Sequence, residues 1–147
     1  MKLVLIVEDE FGNAEVLRLL FEAEGYRVAN ASNGKVALEL LKGEKPALIL
    51  SDFMMPIMNG GELGNVVRST PALSDIPFVF MSGTSEEVVR RSFGGYDGFL
   101  PKPFDFLAML TLVERLIASG RPARPSSEDV DRSMRQLLKG IHLPPAA

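Results

Sequence analysis

Apolar and polar positions alternate along this chain in blocks. Three runs are continuously apolar and rich in Val, Ile, Leu or Phe: KLVLIV (2–7), ALILS (47–51) and PFVFM (77–81). Two more, YRVAN (26–30) and GFL (98–100), are shorter or mixed. Unbroken apolar runs of this length predict strands buried on both faces. Helix-like segments lie between them. Residues 11–24 place Phe11, Ala14, Leu17 and Phe21 on one face and stop at Gly25, a residue suited to the position after a helix end. Residues 34–41 group Ala37, Leu40 and Leu41, and residues 61–69 group Leu63, Val66 and Val67. Residues 85–92 offer only Val88 and Val89, whereas 104–118 carry Leu107, Leu110, Val113, Leu116 and Ile117. Glycines at 61 and 64 are expected to weaken the third helix.

The order is (βα)₅. It predicts an α/β, doubly wound three-layer fold with a five-stranded parallel sheet and helices on both faces. Ligands of such sheets bind beyond the carboxyl ends of the strands. A Pro/Ser-rich stretch, SGRPARPSS (119–127), divides a domain at 1–120 from a tail at 121–147. In the tail, Ser126 and Asp129 have capping-box spacing, and Val130, Met134, Leu137, Leu138 and Ile141 form one helical stripe. The tail is therefore expected to hold a short amphipathic helix, either docked on its own domain or bound to a partner.

Composition narrows the function. The 147 residues contain no cysteine and one histidine, His142, which removes disulfide frameworks, thiolate metal sites and multi-histidine sites. A cysteine-free chain fits a reducing cytoplasm. The formal net charge is −3, but residues 1–120 carry 11 basic and 16 acidic side chains against 5 and 3 in the tail. That balance predicts no direct nucleic-acid binding and no attraction to an anionic membrane. The apolar start, MKLVLIV, is cut short by EDE and is too brief for a secretory signal.

The polar residues at the strand ends are the candidate chemistry. Glu8, Asp9 and Glu10 follow the first strand, Asp52 the third, Ser82 the fourth, and Lys102 (between two prolines) the fifth. Each alone reads as a cap, a turn or a solvated charge. In a parallel sheet all of them fall on one rim. Carboxylates gathered there repel one another and raise each other's pKa unless a cation intervenes. Mg²⁺ suits such a site, because it takes oxygen ligands and typically one or two carboxylates with a phosphoryl oxygen. An aspartate beside it can attack phosphorus, with a lysine and a hydroxyl to neutralise the phosphoryl oxygens. The Met54, Met55 and Met58 cluster reads as packing, and Asp75 and Asp105 as turn and cap residues.

Four blocks, LVLIVEDE, ALILSDFMMPIMNG, PFVFMSG and GYDGFLPKPF, resemble in order the signature blocks of response-regulator receiver domains, over residues 2–119. The resemblance implies the flavodoxin-like strand order 2-1-3-4-5. It implies Asp52 as phosphoacceptor, Asp9 as a direct magnesium ligand, Glu8 as a water-bridged one and Met54 as the donor of a backbone carbonyl. It further implies that Ser82 and Phe99 move together on activation, that Lys102 pairs with the acceptor and precedes a cis proline, Pro103, and that Asn13 and Thr84 tune dephosphorylation. The implied partners are a histidine kinase or histidine phosphotransfer protein as donor and an unidentified downstream protein, with homodimerisation as a further outcome. The implied activity is that of a cytoplasmic signalling switch with intrinsic phosphotransfer and slow autodephosphorylation, not of a separate enzyme.

Two departures stand out. Ser82 and Lys102 are 20 residues apart, whereas the family usually runs about two longer, a real difference for a helix of under about three turns. Tyr96 also stands where the family usually has a small residue. Both bear on the face formed by helix 4, strand 5 and helix 5, the family's usual output surface. Two other readings remain open at this point. A magnesium-dependent aspartyl-phosphate phosphatase would need a second acid where Met54 stands. A scaffold that is never phosphorylated would use the same fold.

Overall fold

The computed structural model describes residues 1–121, and the expected tail helix lies outside the described residues. Ten elements alternate: β1 (Leu3–Val7), α1 (Phe11–Ala23), β2 (Arg27–Ala31), α2 (Gly34–Leu41), β3 (Leu48–Asp52), α3 (Gly60–Ser69), β4 (Phe78–Ser82), α4 (Glu86–Ser92), β5 (Gly98–Pro101) and α5 (Phe106–Ser119). All neighbouring strands pair in parallel, in the order β2-β1-β3-β4-β5. The fold is the expected α/β flavodoxin-like one. The chain reverses its direction of progress across the sheet between β1 and β3, which places a crevice beside their carboxyl ends.

The continuous apolar runs are explained by two core layers. Leu5, Val7, Ile49, Phe78 and Phe80 face the layer shared with α2, α3 and α4. Val4, Ile6, Leu48, Leu50, Val79 and Met81 face the layer shared with α1 and α5. Strand residues alternate between the two, so neither strand face can be polar.

Every strand but β1 ends one residue later than its apolar run. Asp52 and Ser82 are therefore the last residues of β3 and β4 rather than the first of the following loops, in register with Met81 and Pro101. Some helix faces also differ from expectation. Phe11 (80 % exposed) and Leu107 (67 %) point to solvent, because each sits in the first turn of its helix, beyond the cover of the sheet. Leu40, Val66 and Val88 lie at the edges of their stripes and are also exposed. Gly25, at φ +91°, takes the left-handed conformation expected after α1.

The glycines of α3 have a use that helix propensity does not show. The helix forms in full, with Asn59 and Glu62 closing a capping box. A Cβ on Gly60 would lie 2.4 Å from the backbone oxygen of Asp52, and one on Gly64 would lie 2.4 Å from the Phe93 ring. These positions let α3 approach the end of β3 and make room for Phe93 in the core.

Candidate functional site

The site forms on the rim where β1, β3, β4 and β5 end. Glu8 follows Val7, which is paired with Ser51, so Glu8 and Asp52 stand side by side on adjacent strands. Both carboxyl groups are buried, at 4 % and 6 % exposure, while Asp9 is open to solvent. Ligand oxygens of Glu8, Asp9 and Asp52 lie within 4.8 Å of one another. Lys102 reaches over from the loop after β5, whose start is fixed by its own N–H bonding to the Ser82 carbonyl at 2.8 Å. Its Nζ lies 2.7 Å from Asp52 Oδ1 and 4.0 Å from Glu8 Oε2. The Lys102–Pro103 bond is cis.

The electrostatics are unbalanced. Burial and, second, the adjoining Asp52 carboxyl push Glu8 up from the ordinary carboxylate range to about 8, against the opposing pull of Lys102 and Asn13. Burial would lower the Lys102 ammonium, but the hydrogen bond to Asp52 and the charges of Asp52, Glu8 and Asp9 outweigh it and hold it above its usual value. Asn13 Nδ2 donates to Glu8 Oε1 at 3.3 Å. Glu8 Oε2 has no hydrogen-bond partner, the one buried side-chain polar atom so placed among the described residues. Such an orphan is costly unless something fills the gap. Two buried carboxyl groups, a third at the rim and an unpartnered oxygen make an all-oxygen donor set, which fits a hard divalent cation of the magnesium type.

The other expected residues surround this centre at differing distances. Ser82 is buried, and its hydroxyl is engaged by Thr84: it accepts from the Thr84 N–H at 2.9 Å and donates to the Thr84 carbonyl at 3.2 Å. Phe99 is half-buried in β5, in register with Phe80, and lies on the α4 side of the sheet rather than over the carboxylates. Met54 lies in the β3–α3 loop with its side chain 66 % exposed. In that loop Ile57 holds φ at 70° while the Met58 N–H bonds to the Pro56 carbonyl. A β-branched residue there is strained, and such strain collects beside functional loops.

Three arrangements were not anticipated from sequence. The first is the orphaned oxygen of Glu8. The second is the glycine socket of Phe93. The third lies at the opposite end of the sheet, where Asp97, 4 % exposed in its side chain, accepts from Arg68 at 2.9 Å, from Arg121 at 2.9 Å and from the Phe78 N–H at 2.9 Å. An Asp inside GYDGF was one available signal for it, but its two arginines are 29 and 24 residues away. Asp105 caps α5 as expected, accepting from the Ala108 N–H.

Comparison with known proteins agrees with this geometry. The response regulator receiver domain profile matches residues 4–114. The response regulator MprA of Mycobacterium bovis is 32 % identical over 145 residues, which cover 97 % of this chain and 60 % of MprA. The chain thus spans well under two thirds of that relative. Among solved structures, the signal receiver domain of a signal transduction histidine kinase from Syntrophus aciditrophicus superposes with a TM-score of 0.77 at 32 % identity, covering 86 % of this chain and 98 % of that domain. The response regulator TrrA of Thermotoga maritima, determined in complex with Mg²⁺ and BeF, gives a TM-score of 0.72 at 28 % identity over 79 % of this chain and 99 % of TrrA. No helix among the described residues is long and apolar enough to cross a membrane. With the profile spanning most of the chain and the strand order in place, the chain belongs to the response-regulator receiver family of two-component signalling.

Proposed function

We propose that Asp52 is the phosphoacceptor of this receiver domain. The observation that carries this is the pairing of a buried carboxylate with Lys102 at 2.7 Å, beside an unpartnered Glu8 oxygen. The other Asp52 oxygen is left to attack phosphorus. The donor is a phosphohistidine on a histidine kinase or a histidine phosphotransfer protein. The Asp52 Oδ–P bond forms as the P–N bond to the donor imidazole breaks, and the electron pair leaves with that nitrogen, which takes up a proton. Water attack on the same phosphorus later returns Asp52 and inorganic phosphate, which is the slow intrinsic dephosphorylation.

Glu8, Asp9, Asp52 and the backbone carbonyl of Met54 would hold the Mg²⁺ ion, Glu8 through a water. When bound, the ion neutralises charge on the phosphoryl oxygens. The chain's own residues do the rest. Lys102 pairs with Asp52 at 2.7 Å and offers its ammonium to a phosphoryl oxygen. Ser82 can donate its hydroxyl to another oxygen once it leaves Thr84. Asn13 bonds to Glu8 and Thr84 to Ser82, and from these positions both would tune the lifetime of the acyl phosphate. The resulting change around Ser82 and Phe99 alters the surface offered to a downstream protein, of this or another chain.

Isothermal titration with beryllofluoride, a mimic of the phosphoryl group, tests the assignment. Mg²⁺-dependent binding at one site by the native protein and none by D52N is the predicted result. Equal binding by D52N would move the acceptor elsewhere, and no binding by either would favour an unphosphorylated scaffold.

A further inference from the structure

α4 has seven residues and is held at both ends by aromatic side chains. At its C-terminal end Phe93 is buried, edge-on to Phe78 and Phe80 with ring centroids 5.6 and 5.9 Å apart. It fills space that a Cβ on Gly64 or Gly95 would occupy, at 2.4 and 2.6 Å. At the N-terminal end the Tyr96 hydroxyl donates to Glu86 Oε2 at 2.7 Å, and Arg90, one turn on, lies 3.5 Å from the same oxygen. The Tyr96 ring is packed between Phe80, at 5.6 Å, and Phe99, at 6.2 Å.

Glu86 also stands at the far end of the loop that Ser82 holds, where α4 begins. The Ser82 hydroxyl accepts from the Thr84 N–H and donates to the Thr84 carbonyl, two residues before Glu86. A connection therefore runs from Ser82 to Thr84 by hydrogen bond, along the backbone through Ser85 to Glu86, and on to Tyr96 and Phe99. For Ser82 to donate to a phosphoryl oxygen on Asp52, it must release the Thr84 carbonyl, and residues 83–85 must rearrange. Gly83 meets no obstacle, since a Cβ there would have nothing within 4 Å. The resistance lies at the far end of the loop. A hydrogen bond from a neutral hydroxyl to a half-buried carboxylate is among the stronger kinds and opposes any displacement of the residue that accepts it. The C-terminal end of α4 cannot absorb the movement either, because Phe93 is locked in its glycine socket.

We propose that Tyr96 is a positioning residue for Ser82. Through Glu86 its hydroxyl holds the β4–α4 loop in the arrangement that keeps Ser82 on Thr84, and so biases the domain toward its unphosphorylated state. This rests on the reading of Asp52 as acceptor. The Tyr96 ring is not needed for the bias, only its hydroxyl, so Y96F keeps the packing against Phe80 and Phe99 and separates the two roles.

The test is a titration of the full chain with beryllofluoride at saturating Mg²⁺, with melting curves recorded in parallel. Y96F is predicted to bind the mimic roughly three- to tenfold more tightly than the native protein. E86A should tighten binding by a similar factor, and Y96F/E86A should add nothing beyond either single change. E86Q retains an acceptor for the hydroxyl and should stay closer to the native protein than E86A does. A change of less than about twofold in Y96F, or weaker binding, overturns the proposal whatever happens to the melting temperature. A purely structural tyrosine would move the melting temperature alone. If the native protein shows no Mg²⁺-dependent binding, the acceptor assignment and the role of Tyr96 fall together. If it binds and Y96F matches it, only Tyr96 is misassigned.

Discussion

At the scale of single residues, the site is a contest between burial and charge. Lys102 is one third exposed in its side chain, and Asp52 less than a tenth, so their 2.7 Å pair is only partly screened. Removing the ammonium leaves two buried carboxyl groups facing each other. K102M is predicted to lose about 1–3 kcal/mol of stability in metal-free buffer at neutral pH, with part restored by Mg²⁺, as read by urea denaturation. Unchanged stability would mean that water already screens the pair. Glu8 yields a second prediction. Its folded pKa, about 8, lies above the ordinary 4.5, so between these values the native state binds the proton that the unfolded chain releases. Metal-free stability should therefore be full below about pH 4.5 as far as Glu8 is concerned, and fall as pH rises toward 8. E8Q should flatten that fall, and Mg²⁺ should raise the native melting temperature more at pH 8 than at pH 5. A metal-free stability that climbs across this window in parallel for native and E8Q protein would contradict the account. Most of these residues were legible in the sequence, because each stands where an apolar run stops. The orientation of the Ser82 hydroxyl was not, since a local turn bond to Thr84 leaves no mark in the residue types, and the unpartnered oxygen of Glu8 was not, since it depends on strands far apart in the chain.

At the scale of elements, the strands and helices follow their periodicity, and the differences arise where tertiary contact overrides local preference. Gly61 and Gly64 read as weak points of a helix. In the fold Gly64 faces Phe93, and Gly61 faces the Ser92 side chain, where a Cβ would come within 2.2 Å of the hydroxyl oxygen. Nothing within α3 itself reports a ring 29 positions further along the chain. G64A separates the two views. Helix propensity alone predicts a gain of about 1 kcal/mol. The contact with Phe93 predicts a loss of about 1–3 kcal/mol, because the ring is hemmed in by Phe78, Phe80 and Gly95 and cannot yield. Guanidinium denaturation of G64A decides by sign. Phe11 and Leu107 illustrate the converse: helical spacing placed them on core faces, but first-turn positions overhang the sheet and leave them in solvent.

At the scale of the whole molecule, the two ends of the sheet carry different duties. The carboxyl ends gather the acidic site, while the amino ends are closed by Asp97 between Arg68 and Arg121. Arg68 also donates to the carbonyls of Ser74, Ile76 and Gly95, which ties the α3–β4 and α4–β5 connections to one point. D97A would leave two poorly exposed guanidinium groups without their shared carboxylate, at a cost of about 3–5 kcal/mol by urea denaturation. Beryllofluoride affinity of the folded variant should match that of the native protein, because the site lies across the sheet. The overall order of elements was legible because a (βα)₅ alternation with buried parallel strands admits few arrangements. The closure at the amino ends was not, because two of its three charged members lie outside any motif. The central claim concerns the other end and can be tested directly. Incubate the protein with acetyl phosphate and Mg²⁺ and measure its intact mass beside that of D52N. The account predicts the addition of a single phosphoryl group to the native protein, lost when Mg²⁺ is chelated beforehand and absent from D52N. A native protein that gains no mass, or a D52N variant that gains it equally, would contradict it.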